Sequence, residues 1–397
     1  MTLEKETAQQ FLAHPENPNP FQFYNRITDE AAELLGSYQG NKLDLGWLRE
    51  LTQTAAAYLG AFKGDLILDA LKDPSPAVIE ELAERSWKEG QYLSLDGIKT
   101  LDKQQAQALS AYRGKLGLRG LLEISDACAE ILGSGSCFHL YLDGIRSITD
   151  SALKNILGKP NVICLNGLEK LPALGGDELW ENIEYSPVGE IYLNGLKSTS
   201  ADSLNKVASA TEEHLYLNNL EFLPQDPDLF KNHGCAISLD GLRKISDLDS
   251  VNLGVNLADF SLSLAGLEEL SVRQAELLVG SERGDFCLGL RNVSDEVANA
   301  IFRTKSSTLV MNNLEELSAF AAEICGRFIH SEWVSFDGLK QISDDAFDLL
   351  MSDYTGEGDW CPGHISLGGL NHLTPRMSKA LAETKHDVSL AGVKDKI

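Results

Sequence analysis

The stretch Leu93-Ser-Leu-Asp-Gly-Ile-Lys-Thr-Leu-Asp102 decides the fold. Leu93 and Leu95 alternate with Tyr92, Ser94 and Asp96, a period of two that marks a short strand with one face buried. Asp96-Gly97 comes next, and such a pair signals a turn because glycine accepts positive φ without steric cost. Ile98 and Leu101 return to the core, and Asp102 stands where it can cap a short helix whose Ala106 and Leu109 point inward.

The same phrase returns about every 23–25 residues: LYLDGIRSITD from Leu140, ISLDGLRKISD from Ile237, SLSLAGLEELS from Ser261 and VSFDGLKQISDDAF from Val334. The glycine slot is held by Gly97, Gly120, Gly144, Gly167, Gly195, Gly241, Gly266, Gly289, Gly338, Gly369 and Gly392. Asn219 and Asn313 take it where a second tolerant residue suffices, and Trp47 and Ala70 depart from it in the first coils. Thr28, Thr52, Ser125, Thr149, Ser246, Ser271, Ser294, Ser318, Ser343 and Thr374 occupy the helix-cap slot, and Pro375 suits a first helical position. A lone coil buries only a handful of aliphatic side chains at about 1.5–3 kcal/mol each, which barely opposes its ordering entropy. Stacked coils share their buried faces, so stability is a property of neighbours. The expectation is an α/β solenoid of about fifteen strand–turn–short-helix coils with a parallel sheet on its concave face. A flexible lead-in over residues 1–20 precedes a single array over 21–397.

These repeats resemble those of leucine-rich-repeat proteins, in particular bacterial arrays with the pattern LxLxGLxxLSxxxAxxL. Val334–Phe347 is also similar to the repeat of the BspA-like subfamily. The resemblance covers roughly residues 20–397. It departs from the commonest leucine-rich repeat where that repeat has a strand-capping Asn, a slot held here by Ile98 and Leu242. It implies a curved solenoid that binds protein, and it brings no catalytic residue with it.

Composition narrows the partner. There are 34 Lys+Arg against 59 Asp+Glu, a net charge of −25, which repels phosphate backbones and anionic lipid. The expected partner is another protein, neutral or basic at the contact, with neither nucleic acid nor membrane involved. No apolar run reaches 18 residues, and the start, MTLEKETAQQ, is not a secretory signal. The seven cysteines are scattered without a CxxC pair and read as small core residues in a reducing, cytoplasmic setting.

On each strand the residues one, three and five places before the glycine slot face outward. Three coils there carry His139 with Tyr141, Glu190 with Tyr192, and His214 with Tyr216, whereas elsewhere the residue three before the slot is usually small, as in Ser94, Ser238, Ser263, Ser335, Ser366 and Ser389. Tyrosine is enriched at binding hot spots, so these six are the candidate contacts of the concave face. Two longer segments between repeats add Trp180 with Tyr185 and Tyr354 with Trp360, as inserted acidic loops that emerge on one face. The acids and amides just before glycine read as turn formers rather than a calcium ladder. His139, Glu190 and His214 lack metal-ligand spacing, so no metal or cofactor is expected. No phosphate-binding loop, GxSxG elbow or Cys–His pair outside the repeats points to catalysis. The expected function is a non-enzymatic protein-recognition or scaffold module. The alternative is a structural subunit that self-associates through its ends or concave face.

Overall fold

The computed structural model describes residues 1–15, 21–84, 90–158, 160–174, 188–231, 233–257, 259–279, 283–303, 306–328, 333–352 and 363–393. They form two compact units, Met1–Leu196 with Ser209–Glu213, and Lys197–Ala208 with His214–Ile397. In the first, β1 (Thr2–Leu3) pairs in parallel with β2 (Arg26–Ile27). A parallel ladder follows through β3 (Lys42–Asp44), β4 (Asp65–Ile67), β5 (Tyr92–Ser94), β6 (Lys115–Gly117), β7 (His139–Tyr141), β8 (Val162–Cys164) and β9 (Val188–Tyr192). In the second unit the end of β10 (Thr211–Tyr216) pairs with β11 (Ala236–Ser238). The order continues through β12 (Leu262–Leu264), β13 (Arg283–Leu288), β14 (Ser306–Val310), β15 (Trp333–Ser335), β16 (His364–Ser366) and β17 (Asp387–Ser389). Short helices alternate with the strands, so each unit is a stack of α/β coils.

Register follows the leucines. Leu43, Leu66, Leu93, Leu116, Leu140, Ile163 and Ile191 stand side by side across the first ladder, and all seven are buried. A one-residue slip would carry the whole column to solvent, which is why the pairing is unambiguous. Residues 1–15 are not the free lead-in that the sequence suggests over 1–20. Helix Lys5–Ala13 and β1 bury Leu3 and Ala8 completely. Among the described residues no helix is long and apolar enough to cross a membrane. Six of the cysteines are free thiols, five of them buried.

The turn glycines are needed for a different reason from the one the sequence suggests. Among the described residues only Gly90 and Phe230 have a left-handed φ, so none of the repeat glycines uses that freedom. They are small because the coils touch there. A Cβ on Gly120 would overlap the backbone carbonyl of Asp96 in the preceding coil, and one on Gly97 would overlap that of Asp69. Asn313 answers the same crowding with polarity, its amide donating to the Gly289 and Ala265 carbonyls.

The residue before the glycine slot does more than form a turn: its side-chain oxygen reaches the next coil. Asp96 accepts from the Arg119 N–H at 2.7 Å, Asp143 from Asn166 at 3.1 Å, and Asn166 from Asn194 at 3.0 Å. In the second unit Asp240 accepts from the Ala265 N–H at 2.8 Å, Asn312 from Asp337 at 3.0 Å, and Asp337 from Gly368 at 2.6 Å. Serines three before the slot donate to the same oxygens, as Ser335 does to Asn312 and Ser366 to Asp337, both at 2.7 Å. Burial pushes the Asp337 carboxyl up, but the hydrogen bonds from Ser366, Gly368 and Ser335 outweigh it and hold its pKa below the usual carboxylate value.

Each proposed Ser or Thr cap accepts from the N–H three residues on, for example Thr52 from Ala55 and Thr149 from Ala152, both at 3.0 Å. One coil departs from the plan. Between β10 and β11 there is no helix among the described residues; Pro224 and Pro227 interrupt the segment, and asparagines on either side satisfy its carbonyls. Asn205 donates to Asp228 at 3.1 Å, Asn252 to Asp226 at 2.7 Å and Asn256 to Leu229 at 2.7 Å. Phe230 lies fully buried there at φ 59°, beside His233. Neither ring nitrogen of His233 has a hydrogen-bond partner among the described residues, and burial lowers its pKa to about 4.

Two outcomes test this packing. Gly120→Ala should destabilise the protein by about 3 kcal/mol through overpacking, read as a lower denaturant midpoint. An unfolded histidine titrates near 6.5, whereas folded His233 stays neutral down to about pH 4. Between those values the unfolded chain binds a proton that the folded chain refuses, so stability drops as pH falls. That loss is about 3 kcal/mol at most. Urea melts of His233→Leu against wild type at pH 7 and pH 4.5 should show a smaller acid loss in the variant.

Candidate binding face

The outward residues of β5–β9 form three rows across the first unit. Five before the glycine slot stand Tyr92, Lys115, His139, Val162 and Glu190; three before it, Ser94, Gly117, Tyr141, Cys164 and Tyr192. The last row, Asp96, Arg119, Asp143, Asn166 and Asn194, carries the coil-to-coil ladder. Alternation fixes the phase: Leu140, Leu142, Ile191 and Leu193 are fully buried, and His139, Tyr141, Glu190 and Tyr192 between them are half-buried.

Arg119 organises the middle of this face. Its guanidinium carbon lies 4.4 Å from the Tyr141 ring centre and 5.5 Å from that of Tyr92, and the two rings meet edge to face at 5.8 Å. Its Nη1 is 3.3 Å from Asp96 Oδ2 and its Nε 3.2 Å from Asp143 Oδ2, and it also donates to the Tyr92 hydroxyl. Burial works against the Arg119 charge, but Tyr92 and Asp96 outweigh it and raise the pKa further. Gly117 makes the arrangement possible, since a Cβ there would overlap the Tyr92 hydroxyl. The cluster is a planar cation between two aromatic rings, closed by two carboxylates.

The other predicted residues of this unit lie on the same face, His139 beside the cluster with its ring 6.4 Å from that of Tyr141. His139 stacks on Phe138 at 4.8 Å; burial and Lys115 lower its pKa while Glu190 opposes them. The Tyr192 hydroxyl donates to Glu190 Oε2 at 2.7 Å. Between β7 and β9, Val162 and Cys164 are buried, 8% and 6% exposed. Burial and then Asp143 push the Cys164 thiol up to about 12, so it is neutral near pH 7.

In the second unit His214 lies flat against Tyr216 at 4.0 Å, with its Nε2 2.7 Å from Ser238 Oγ. A further cluster there escaped the sequence reading: Trp333, 43% exposed, stacks on His364 at 3.8 Å, whose Nδ1 is 2.8 Å from Asp387 Oδ2. Trp333, His364 and Asp387 each stand five before the slot in successive coils, so aligning the repeats as rows would have found them. Trp180, Tyr185, Tyr354 and Trp360 lie outside the described residues. Among the described residues no group of three or more His, Cys, Asp or Glu could hold a metal ion.

No protein-family model matches the chain, and no curated protein matches it. Among solved structures it is similar to a leucine-rich-repeat protein of Leptospira interrogans, with 14% identity and a TM-score of 0.44 over 96% of this chain and 98% of that one. It is also similar to an internalin of Listeria monocytogenes, with 14% identity and a TM-score of 0.46 over 89% and 95% of the two chains. A third is the Rad7 and Elc1 complex of yeast, at 19% identity and a TM-score of 0.35 over 78% and 79%.

Arg119→Lys keeps the charge but loses the flat fork that serves two carboxylates and two rings together. It should lower stability by about 1 kcal/mol, and Arg119→Met by about 2 kcal/mol, in thermal melts at neutral pH.

Proposed function

We propose that this protein is a non-enzymatic recognition or scaffold module that binds another protein through the outward faces of its strands. One observation carries the reading. In four coils the outward serine, Ser94, Ser263, Ser335 or Ser366, donates into the ladder, whereas Tyr141, Tyr192 and Tyr216 place half-exposed rings on that same row. Rings held on hydrogen-bonded strands lose little freedom on binding, which favours affinity. His139, Glu190 and His214 stand beside them and add polar contacts that set orientation. The thiols do not suggest covalent chemistry, because burial raises the pKa of Cys137, Cys164 and Cys235 to about 12. The net charge of −25 favours a partner that is neutral or basic at the contact and disfavours nucleic acid and anionic membranes.

Tyr192→Ala combined with Tyr216→Ala should leave the circular-dichroism spectrum and melting temperature close to wild type, because neither ring is in the core. In affinity capture from native lysate, wild type should retain a partner protein that the double variant loses by about tenfold or more. Equal capture by both would shift recognition to the segments carrying Trp180 and Trp360. Recovery of the bait alone would favour self-association.

A further inference from the structure

We infer that Trp333 and Asp285, on either side of Thr308, seat an arginine side chain from a basic segment of the partner. The inference rests on the reading that outward strand faces bind protein, and it adds a separate contact of named chemistry. Pairing fixes the layout. Thr308 on β14 stands opposite Asp285 on β13 and Trp333 on β15, which puts ring and carboxylate two strands apart in one row. The indole is held before any ligand arrives: it stacks on His364 at 3.8 Å with the rings 22° from parallel. Asp387 in turn fixes that imidazole, 2.8 Å from its Nδ1. With His364 against one face, on the β16 side, the other face of the indole turns toward Thr308.

Three features suit this place to a guanidinium from outside. Access comes first: Trp333 is 43% exposed, Asp285 is exposed, and Thr308 between them is half-buried. Only the backbone N–H of Asp285 is tied down, to Ser261; its carboxylate has no hydrogen bond or ion pair among the described residues. Width comes second. In the first unit Arg119 reaches from β6 between β5 and β7, its guanidinium carbon 5.5 Å from the Tyr92 ring centre and 4.4 Å from that of Tyr141. Those distances fill two strand spacings of about 4.8 Å each. Between β13 and β15 the middle strand offers only a threonine, so the same space is left to another molecule's cation. Charge comes third. From β11 to β17 the two outward rows through Thr308 and Val310 hold no Lys or Arg, but they include Asp285 and Asp387. A flat guanidinium can lie on the indole, the aromatic that attracts a cation most strongly, and meet the carboxylate at its edge.

The test uses a fluorescein-labelled heptapeptide with two arginines in a glycine–serine context, and its citrulline counterpart, which is nearly the same shape but uncharged. Fluorescence anisotropy with the full chain at about 0.15 M salt limits diffuse attraction. The arginine peptide should bind about tenfold tighter than the citrulline one. Trp333→Leu and Asp285→Asn should each weaken it about fivefold, and Trp333→Phe, which keeps a ring, only about twofold. Glu276→Gln, at an exposed position of the helix Val272–Leu278, removes a charge elsewhere and should leave binding within about twofold. Equal binding of the two peptides, or none of either, overturns the inference. So does a loss with Glu276→Gln as large as with Asp285→Asn, which would mark net charge alone, or indifference to Trp333→Leu. The two proposals fail separately. A captured partner that needs Tyr192 and Tyr216 but is neither displaced by the arginine peptide nor lost with Trp333→Leu keeps the recognition reading and sinks the seat. Trp333-dependent peptide binding with capture indifferent to both tyrosines supports the seat and sinks recognition through the tyrosines.

Discussion

Coils press on one another at the turn after each strand, where a backbone carbonyl of one coil lies against the glycine of the next. Such proximity leaves no room for a side chain and none for water, so the polar groups there must satisfy one another. The oxygens of Asp96, Asp143, Asn166, Asp240, Asn312 and Asp337 do so by accepting an N–H, and often a serine hydroxyl, from the following coil. Acidic and amide side chains at this row are thus structural. Part of the strong negative charge is the consequence of how the coils are joined.

The ladder also shows why the outward face is not uniform. Where a coil puts Arg119 in the ladder row, no side-chain oxygen is available, and the guanidinium instead links Asp96 to Asp143 across it. Tyr92 and Tyr141 then have a cation to rest on, and Gly117 clears the space. A single change of residue type in one row thereby creates an aromatic cluster. In β13 the phrase is one residue short, PheCysLeuGly against LeuSerLeuAlaGly, so the ladder residue is missing. Asn313 bridges the gap from the following coil through the Gly289 and Ala265 carbonyls.

Much of this was legible in the sequence, because the signals are local. The period-two leucines gave strands that bury Leu93 and Leu95, and caps such as Thr149 accept the expected N–H. Ser75 was overlooked although Ser75-Pro76 has the same form as Thr374-Pro375, and it caps its helix by accepting from Val78. What local reading could not reach were contacts between residues about 25 apart. Within one coil the usual use of glycine is positive φ, whereas its actual constraint is a carbonyl in the coil before. The Trp333–His364–Asp387 row and the asparagine clamp on residues 226–229 are of the same kind.

The division of labour among rows bears on recognition. A residue one before the glycine cannot change freely, since its oxygen holds the next coil, and the serine three before is often bound to that oxygen. The residue five before takes on that duty in fewer coils, as Asp65 does by accepting the Tyr92 N–H and Ser261 the Asp285 N–H, and it is there that His139, Glu190, His214, Trp333 and His364 stand. Variation in ligand preference is therefore cheapest at that row. It becomes costlier at the serine row, where a tyrosine gives up one hydroxyl contact to the ladder to gain an exposed ring. Tyr141, Tyr192 and Tyr216 stand, half-buried, on the row where a serine of other coils donates to the ladder.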